Sequence, residues 1–315
     1  MKISVVIPAG FGSELEVLES LKNQAEKPVQ IIVIRGDNPS KNRNRGVEKA
    51  KGEFVAFVNA HSSFPSNWIK NAIDFFKQYS EVDIVGGPQL TPASNSVFGK
   101  ATGYALSSVF GAANVRGRYM PGKLNLNAGE TDVTSSNLIC KKEVFEKIKF
   151  NEAIYPGEDP LFISDAKKAG FKVAYSPDIV GFNRRRETQR ELLKQMFKYG
   201  FMRTKKESFF NTLKMPLFLV PVFFVFYLAF LFFSIILSPA ITRNVIGIEI
   251  TGILSNFLVW ISIPLMAYIF LDFVFSFYGS AKNSDFKAFF PMLLIYPSVH
   301  ISYGTGIILG WIKNR

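Results

Sequence analysis

The sequence predicts an α/β domain with an open parallel sheet, followed by about three membrane-spanning helices. Three observations lead to this prediction. In the N-terminal part, apolar strand-like runs alternate with helical segments. Further along, residues 215–242, 250–271 and 288–312 contain no Asp, Glu, Lys or Arg. The net charge of +12 is concentrated ahead of these runs, because residues 215–315 hold only five of the 37 basic and three of the 25 acidic residues.

The N-terminal part contains continuous apolar runs, which are typical of buried parallel strands. Helical segments that begin near serines, a favourable N-cap residue type, separate these runs. This alternation indicates a parallel sheet with helices on both faces. The predicted strands are 2–9, 29–36, 53–60 and 82–88, and the helices are 13–25, 40–51 and 66–79, with Ser13, Ser40 and Ser66 as caps.

The following residues are less regular. Residues 93–131 are rich in Gly, Ser, Ala and Asn and predict no defined element. Beyond them we expect strands at 132–140 and 171–175 and helices at 141–148 and 158–169. In an open α/β sheet, ligands bind at the carboxyl ends of the strands. Four segments should therefore meet in one crevice: Pro8-Ala9, Arg35-Gly36-Asp37, Asn59-Ala60-His61 and Gly86-Gly87-Pro88.

The C-terminal part is predicted to span a membrane about three times, at approximately 215–238, 246–271 and 289–311. A bilayer core needs about 20 mainly apolar residues in a helix, and each uncharged run is long enough. The third run is interrupted by Pro297 and by His300, an ionisable residue that is either functional or bonded to a neighbouring helix; we favour the second. Gly306 and Gly310 form a small-residue motif for close helix packing.

A basic segment separates the two parts. Residues 184–214 hold ten basic and three acidic residues, which predicts that this flank lies on the cytoplasmic face. Within it, residues 186–202 form an amphipathic helix that either lies in the membrane interface or packs on the sheet. Lipid headgroups explain the positive charge better than nucleic acid does, because the cluster adjoins a membrane span.

The opening residues and the cysteine content predict the cellular location. The opening "MKISVVIPAG" reads as a strand and a turn rather than a signal peptide, so the large domain is expected in the cytoplasm. A single cysteine, Cys140, excludes an internal disulfide and fits a reducing compartment. We therefore expect a multi-pass cell-membrane protein with domains at 1–183, 184–214 and 215–315.

The stretch "FVAFVNAHSSFP" (54–65) ends the third predicted strand with Asn59-Ala60-His61. Asn59 offers a neutral oxygen and His61 a neutral nitrogen, and both can bind a divalent cation. The alternative is a plain loop, in which Asn59 caps a turn and His61 bonds a neighbouring group. Their position at a strand end favours the functional interpretation.

Two adjacent carboxylates, Glu158 and Asp159, lie at a predicted helix start. Carboxylates there are stabilised by the helix dipole, so a capping cluster explains them adequately. A general base that takes a proton from an acceptor hydroxyl is the functional alternative. The residues alone do not decide between the two.

Several arginines could bind phosphates through bidentate hydrogen bonds. They are Arg184, Arg185, Arg186 and Arg190 in one cluster and Arg43 and Arg45 in another. For at least two of the first cluster, a solvated or headgroup-facing position is the simpler interpretation, and for one of the second pair it is an exposed helix face.

Taken in order, these segments resemble a family 2 glycosyltransferase of the inverting, GT-A type. The resemblance covers about residues 2–200. It rests on "ISVVIPA", on "NRNRGVEKAKGEFVAFVNAHS", on "SSNLICKKEVFEKIKFNEAIYPGEDPLFISDAKKAGFKVAYSPD" and on "QRELLKQMFKYG". Within the family the sequence is most similar to the succinoglycan-biosynthesis type, in which His can stand third in the Asp-x-Asp position. Here Asn59 departs from Asp, and the usual Asp pair after the second strand reads Arg35-Gly36-Asp37.

The resemblance also implies roles for individual residues. Asp159 would be the general base, with Glu158 beside it, and His61 with Asn59 would hold a metal ion, Mn²⁺ or Mg²⁺ with Mn²⁺ favoured. The remaining candidates would contact the nucleotide sugar, for which UDP is the favoured nucleotide. These are Pro8, Ala9 and Asp37 for the nucleoside, and Arg45, Asn59, Arg186, Arg190 and Gln195 for its phosphates or those of the acceptor.

The implied function is transfer of a sugar to a lipid-linked, polyprenyl-type acceptor in glycan or exopolysaccharide assembly. A polyprenyl-phosphate sugar synthase is the alternative within the same class. A different class is a degenerate transferase domain that acts as a membrane scaffold, for which Asn59 is the best support. A small transporter is disfavoured because most of the chain lies outside the spans.

Overall fold

The computed structural model describes residues 1–206, 212, 216–244 and 249–313. These residues divide into two compact units, Met1–Thr188 and Gln189–Arg315. Parts of the sequence predictions lie outside the described residues: the start of the first span at 215, the start of the second at 246–248, and residues 207–211 and 213–214 of the basic region.

Short strands and helices alternate along the first unit. Its strands are β1 (Ile3–Ala9), β2 (Gln30–Arg35), β3 (Phe54–Val58), β4 (Ser62–Ser63), β5 (Ile84–Gly86), β6 (Gln89–Leu90), β7 (Asn137–Lys141), β8 (Val173–Tyr175) and β9 (Gly181–Asn183). Its helices are α1 (Val17–Lys22), α2 (Pro39–Lys49), α3 (Trp68–Gln78), α4 (Val97–Leu106), α5 (Val109–Ala112), α6 (Val144–Lys147) and α7 (Glu158–Lys168), with a 3-10 helix at Ala113–Arg118.

Within the described residues, the main sheet has the strand order β2-β1-β3-β7-β5-β8. β1 runs parallel to β2 and β3, and β5 runs parallel to β8. β7 is antiparallel to both of its neighbours, so the prediction of a wholly parallel sheet was wrong for this strand. The segment before β7 is long, and an antiparallel neighbour needs no parallel crossover connection, so the strand can enter from the opposite end. As a result, β7 begins beside the end of β3, where Asn137 pairs with Val58.

A second, smaller sheet has the order β4-β9-β6. β4 follows the end of β3 almost directly, and its Ser62 pairs with Asn183 of β9. Gln89 of β6 pairs with Gly181 at the other side of β9. This small sheet brings the end of the first unit back to the carboxyl end of β3.

The core lies on both faces of the main sheet, because alternate residues of β1 and β3 point to opposite sides. Val5 and Ala56 belong to one buried cluster, together with Trp68 of α3. Val6 and Phe57 belong to the other cluster. Burial on both faces explains why these strands are continuously apolar in the sequence.

Helix starts differ from the predicted caps. α1 begins only at Val17, after Glu16, so the predicted cap Ser13 is wrong. The backbone N–H of Ser13 instead closes a turn on the carbonyl of Gly10 at 3.2 Å. α3 follows Asn67 rather than Ser66.

Helix α2 is capped by Asn38 rather than by the predicted Ser40, and Pro39 explains the difference. Pro39 occupies the first turn, where its missing N–H costs nothing, so the residue before it becomes the cap. The Asn38 side chain accepts the backbone N–H of Lys41 at 3.0 Å. The predicted cap Ser40 is therefore inside the helix. The segment 93–131, for which no element was predicted, holds α4, whose cap Ser96 accepts from Gly99 N–H at 3.1 Å.

The second unit is helical in the part that the structure describes. Its long helices are α8 (Gln189–Lys206), α9 (Pro216–Asn244), α10 (Glu249–Lys282) and α11 (Phe289–Lys313). The stretches Pro216–Ile236, Phe257–Lys282 and Phe286–Lys313 are long and apolar enough to cross a membrane. The second stretch extends past the predicted end at 271, because Asp272 does not interrupt the helix.

Helix α11 makes close contacts inside this unit. A Cβ added to Gly306 would lie 2.2 Å from the carbonyl oxygen of Phe197 on α8, so the predicted packing motif is used against α8. A Cβ at Gly200 of α8 would lie 2.1 Å from the carbonyl oxygen of Tyr303. His300 Nδ1 lies 2.8 Å from the Tyr268 hydroxyl on α10, which matches the favoured prediction of a bond to a neighbouring helix.

Candidate active site

The carboxyl ends of neighbouring strands meet at one edge of the main sheet. Ala9 pairs with Arg35 at the ends of β1 and β2, and Val58 ends β3. Because β7 is inverted, the turn before it, which contains Ser135, reaches the same edge. The edge thus carries the predicted strand-end segments and one turn that sequence reasoning did not place there.

Arg35 and Asn42 shape the end of β1. The Arg35 guanidinium donates to the carbonyl oxygens of Gly10 at 3.1 Å and Ser13 at 3.0 Å. The Asn42 amide donates to the carbonyls of Ala9 at 3.4 Å and Gly36 at 3.0 Å. Arg35 stands where the family that this sequence resembles has aspartate, and here its side chain holds the loop after β1.

The three residues predicted to line the nucleoside site differ in accessibility. Ala9 is buried, Pro8 is half-buried and Asp37 is exposed. Asp37 is thus accessible to a ligand through its side chain. Pro8 and Ala9 are the last two residues of β1, so their backbone forms part of the strand edge.

The Glu158-Asp159 pair stands at the start of α7. Gly157, just before it, has φ of +114°, a value that L-residues rarely adopt and glycine adopts readily. The Glu158 side chain is only 5% exposed, whereas that of Asp159 is 21% exposed. The two carboxylates are adjacent in sequence but differ in their access to a ligand.

Arg43 of α2 binds both carboxylates. Its Nη1 lies 2.9 Å from Glu158 Oε1, and its Nη2 lies 3.8 Å from Asp159 Oδ1. The guanidinium is itself 5% exposed and stands over the Phe150 ring, 5.3 Å from its centroid. On its other side, Asp159 Oδ1 accepts a short hydrogen bond from the Ser135 hydroxyl.

Burial, together with the nearby negative charge of Asp159, raises the pKa of Glu158 to about 7, and Arg43 opposes both effects. Glu158 therefore exchanges a proton near neutral pH. Asp159 is the more accessible carboxylate, with one oxygen already fixed by Ser135. The pair thus combines an accessible carboxylate with a buried carboxyl group bound to Arg43.

The arginine at this site is Arg43 and not Arg45, the one favoured as a ligand of the nucleotide sugar. Arg45 is exposed on the other side of α2. Residues two apart on a helix point in different directions, which explains why one of the pair is buried and the other is solvated. The sequence showed the pair but not which member would find a buried partner.

His61 is half-exposed and contacts Glu16, a residue that sequence reasoning missed. Its Nδ1 lies 3.1 Å from Glu16 Oε1, and Arg184 Nη1 lies 3.1 Å from the same oxygen. Asn59 accepts the backbone N–H of Ser62 at its carbonyl oxygen, 3.2 Å away. No sequence pattern links residues 16, 61 and 184. Residue 16 meets residue 61 through the hydrogen bond from Val17 N–H to the Ala60 carbonyl, and residue 184 joins them because β4 pairs with β9.

The donor set at this position fits a divalent cation in one specific way. Among the described residues, no group of three or more His, Cys, Asp or Glu side chains is arranged to hold a metal ion by itself. A histidine that donates Nδ1–H to a carboxylate keeps Nε2 free as a ligand, which is the common arrangement of metal-binding histidines. Mg²⁺-type cations are often held by one or two protein groups plus substrate phosphates. His61 and Asn59 suit such a shared site.

The remaining predicted arginines have different surroundings. The Arg185 guanidinium donates to Thr91 Oγ1 at 3.2 Å and to the Gln89 carbonyl, and it stands over the Tyr119 ring at 4.8 Å. Arg185 thus fixes the small sheet. Arg186 is exposed. Burial and, to a lesser extent, the charge of Glu158 raise the pKa of Tyr155, whereas the positive charges of Arg43 and Arg186 lower it.

Arg190 and Gln195 belong to α8 in the second unit. Arg190 is exposed, and the Gln195 amide donates to the Tyr199 hydroxyl at 3.0 Å. Their roles as phosphate ligands stay predictions.

Part of the first unit matches a known protein family. Residues 12–149 match the sequence profile described as "Glycosyl transferase family 2". These residues are similar to the family 2 glycosyltransferase domain. The match includes Arg43, His61 and Ser135 and ends before Glu158. The first unit has the predicted fold class, a GT-A-like α/β unit with a mostly parallel sheet, and the described residues of the second unit include three helices that could span a membrane. The more specific succinoglycan-type assignment stays a prediction.

Solved structures with a similar fold include two of TarS residues 1–349 from S. aureus. The first is 18% identical, with a TM-score of 0.43, and the alignment covers 62% of this chain and 64% of that one. The second, in complex with UDP-GlcNAc, is 16% identical, with a TM-score of 0.44 and coverages of 63% and 66%.

A third similar structure is the mannosyltransferase PcManGT from Pyrobaculum calidifontis in complex with GDP-Man and Mn²⁺. It is 12% identical, with a TM-score of 0.43 and coverages of 66% and 65%. In each case this chain spans less than two thirds of the other protein. No curated protein sequence matches the chain.

Proposed function

We propose that this protein is a membrane-anchored, inverting glycosyltransferase that moves a sugar from a nucleotide-sugar donor to a lipid-linked, polyprenyl-type acceptor. The observation that carries the proposal is the exposure of the Asp159 carboxylate and its contacts with neighbouring side chains. Its carboxylate is 21% exposed, is fixed by the Ser135 hydroxyl, and lies beside the buried Arg43–Glu158 pair. An accessible, oriented carboxylate is what a general base requires.

The proposed reaction is a single displacement with inversion. The acceptor hydroxyl oxygen attacks the anomeric carbon of the donor sugar while Asp159 takes the hydroxyl proton. A new carbon–oxygen bond forms to the acceptor, and the bond between the anomeric carbon and the diphosphate oxygen breaks. The electron pair of that bond leaves with the nucleoside diphosphate. Arg43 Nη2 lies 3.8 Å from Asp159 Oδ1, so a positive charge stands beside the proposed base.

The donor is proposed to lie along the strand edge. Pro8, Ala9 and Asp37 would contact the nucleoside, and His61 with Asn59 would hold a divalent cation at the diphosphate site. When bound, that cation, with Mn²⁺ favoured, offsets the negative charge of the leaving group. UDP is the favoured nucleotide.

Basic and polar side chains are proposed to complete the phosphate contacts. Arg186, Arg190 and Gln195 are the candidates for phosphates of the donor or the acceptor. Arg45 remains a weaker candidate because it is exposed on α2.

The second unit supports a lipid-linked acceptor. Three helices able to span a membrane make a lipid-linked acceptor the natural partner, because the enzyme and the lipid would share one bilayer. The basic flank supports a cytoplasmic position for the transferase domain, by the positive-inside rule. Glycan or exopolysaccharide assembly is the proposed process, and synthesis of a polyprenyl-phosphate sugar is the closest alternative.

The test is a thermal-shift panel with the full chain in detergent. UDP- and GDP-linked sugars and their free nucleotides are each added with and without Mn²⁺, and slow hydrolysis of the donor is followed in parallel. We expect a stabilising shift with one nucleotide class, larger with Mn²⁺, together with measurable hydrolysis. No shift and no hydrolysis with any donor would support the non-catalytic scaffold instead.

A further inference from the structure

Glu16 joins two residues that lie far apart in the sequence. One of its carboxylate oxygens, Oε1, lies 3.1 Å from His61 Nδ1 and 3.1 Å from Arg184 Nη1. The three side chains are between 37% and 49% exposed, so a ligand in solvent can reach them. Glu16 is thus the shared acceptor of an imidazole and a guanidinium.

Backbone hydrogen bonds hold this arrangement together. The N–H of Val17, the residue after Glu16, donates to the carbonyl of Ala60, the residue before His61, at 3.0 Å. On the other side, the pairing of Ser62 with Asn183 places Arg184 one residue beyond the register of the small sheet. The sheet framework therefore sets the positions of all three residues, and their contact does not depend on a loop alone.

We propose that Glu16 is a positioning residue of the donor-diphosphate site, whose carboxylate holds His61 with its proton on Nδ1 and holds Arg184 beside it. This inference rests on the proposed function, because it assigns the cation and diphosphate to His61. With Nδ1–H donated to Glu16, the lone pair of Nε2 is left for a cation. The Arg184 guanidinium, with its remaining N–H groups, is left at the same place for a phosphate oxygen.

The charges support this assignment. Asn59 stands at the strand end where the family that this sequence resembles has the first aspartate of its Asp-x-Asp pattern, so this position supplies no negative charge. Glu16 supplies one carboxylate close to His61, and Arg184 balances that charge. A diphosphate entering here would meet a guanidinium and a cation held by an imidazole, both oriented by the same oxygen atom.

Such exposed ion pairs contribute little to folding stability, so variants of Glu16 should fold. This allows the positioning role to be separated from a structural one. Glu16→Ala removes both acceptor functions. Glu16→Gln keeps a neutral oxygen that can accept from His61 but loses the charge that attracts Arg184. Glu14→Ala is the matched control, because Glu14 is an exposed glutamate two residues away.

The first readout is the protonation site of the His61 ring, which needs neither metal nor nucleotide. The chain contains only two histidines, so ¹⁵N-histidine labelling gives two ring systems, and His61→Gln assigns one of them. We expect wild type and Glu16→Gln to show the Nδ1–H form at alkaline pH, and Glu16→Ala to shift toward Nε2–H. An unchanged tautomer in Glu16→Ala would overturn the proposal.

The second readout is Mn²⁺ binding to the full chain in detergent with saturating UDP, followed by the electron paramagnetic resonance signal of free Mn²⁺. Loss of an outer-shell partner of a metal ligand commonly weakens metal binding about 10- to 100-fold, and we expect this range for Glu16→Ala. Glu16→Gln should lose less than Glu16→Ala, and Glu14→Ala should match wild type. Equal Mn²⁺ affinity in Glu16→Ala and wild type would also overturn the role of Glu16.

The two ways of failing are distinguishable. If wild type itself binds no Mn²⁺ with UDP and hydrolyses no donor, the proposed function fails, and the inference falls with it. If wild type binds and hydrolyses but the Glu16 variants behave like wild type, only the positioning role fails.

Discussion

The guanidinium of Arg43 lies 2.9 Å from the carboxylate of Glu158, and both side chains are 5% exposed. The pair joins α2 to the start of α7 across more than a hundred residues of sequence. Arg43 also reaches Asp159 at 3.8 Å, so the buried ion pair and the proposed base form one unit. Most of the following predictions depend on this relationship.

Arg43→Met should destabilise the transferase domain. Removing one partner of a buried ion pair typically costs about 3–5 kcal/mol, because it leaves the other charge uncompensated. The loss should be smaller at pH 5 than at pH 8, since Glu158 can take up a proton and become neutral. Thermal unfolding midpoints across this pH range measure the effect. Lys70→Met is the control, because its pair with Asp74 lies at the surface, where the two side chains are 56% and 49% exposed; a midpoint equal in both variants would contradict the prediction.

Glu158 should make stability depend on pH with a defined sign. Its folded-state pKa of about 7 lies above the ordinary value of 4.5, so between these values the folded chain binds a proton that the unfolded chain has released. Raising the pH through this window therefore lowers stability, by at most about 3 kcal/mol in total. Glu158→Gln should remove this component. A difference between wild type and variant that stays constant from pH 4.5 to 7 would refute it.

Gly157→Ala should disturb the site through backbone conformation rather than crowding. The nearest atom to an added Cβ is Ile154 Cγ2 at 3.6 Å, an ordinary contact. The φ of +114° is the obstacle, and left-handed conformations cost L-residues about 1–2 kcal/mol. We expect a loss of stability in this range together with reduced turnover. In Gly117→Ala, whose Cβ meets nothing within 4 Å, neither should change.

The sequence was sufficient for the parts of the fold that depend on local pattern. The apolar runs that became β1 and β3 and the uncharged runs of the second unit follow directly from burial and from bilayer length. The caps Ser13, Ser40 and Ser66 were wrong, because capping depends on where the chain leaves a turn. In α2, Pro39 moved that point to Asn38.

The candidate site was only partly accessible to sequence reasoning. Glu158 and Asp159 stood out as adjacent carboxylates at a helix start. Their partners did not: Arg43 and Arg45 look equivalent in the sequence, and Ser135 reaches Asp159 only because β7 is inverted. Glu16 meets His61 where the Val17 N–H bonds the Ala60 carbonyl, and Arg184 joins them through the pairing of β4 with β9; no local pattern encodes either long-range contact.

Ser135→Ala should slow turnover without abolishing it. The Ser135 hydroxyl donates to Asp159 Oδ1 and so fixes the orientation of the proposed base. A single hydrogen bond contributes about 0.5–1.5 kcal/mol, which corresponds to a loss of up to about tenfold in kcat. Steady-state donor turnover measures kcat and KM separately. A changed KM with unchanged kcat would argue that Ser135 contacts the donor instead.

The most direct test of the proposed base compares Asp159→Asn with wild type and with Asp165→Asn, a matched change on the same helix α7 at an exposed ion pair. The measurement is the rate of donor-sugar turnover by the full chain in detergent with Mn²⁺, alongside the thermal shift caused by the donor. The account predicts a loss of about 10²–10⁴-fold for Asp159→Asn with the donor-induced shift retained, and wild-type turnover for Asp165→Asn. Turnover in Asp159→Asn within a few-fold of wild type would contradict it.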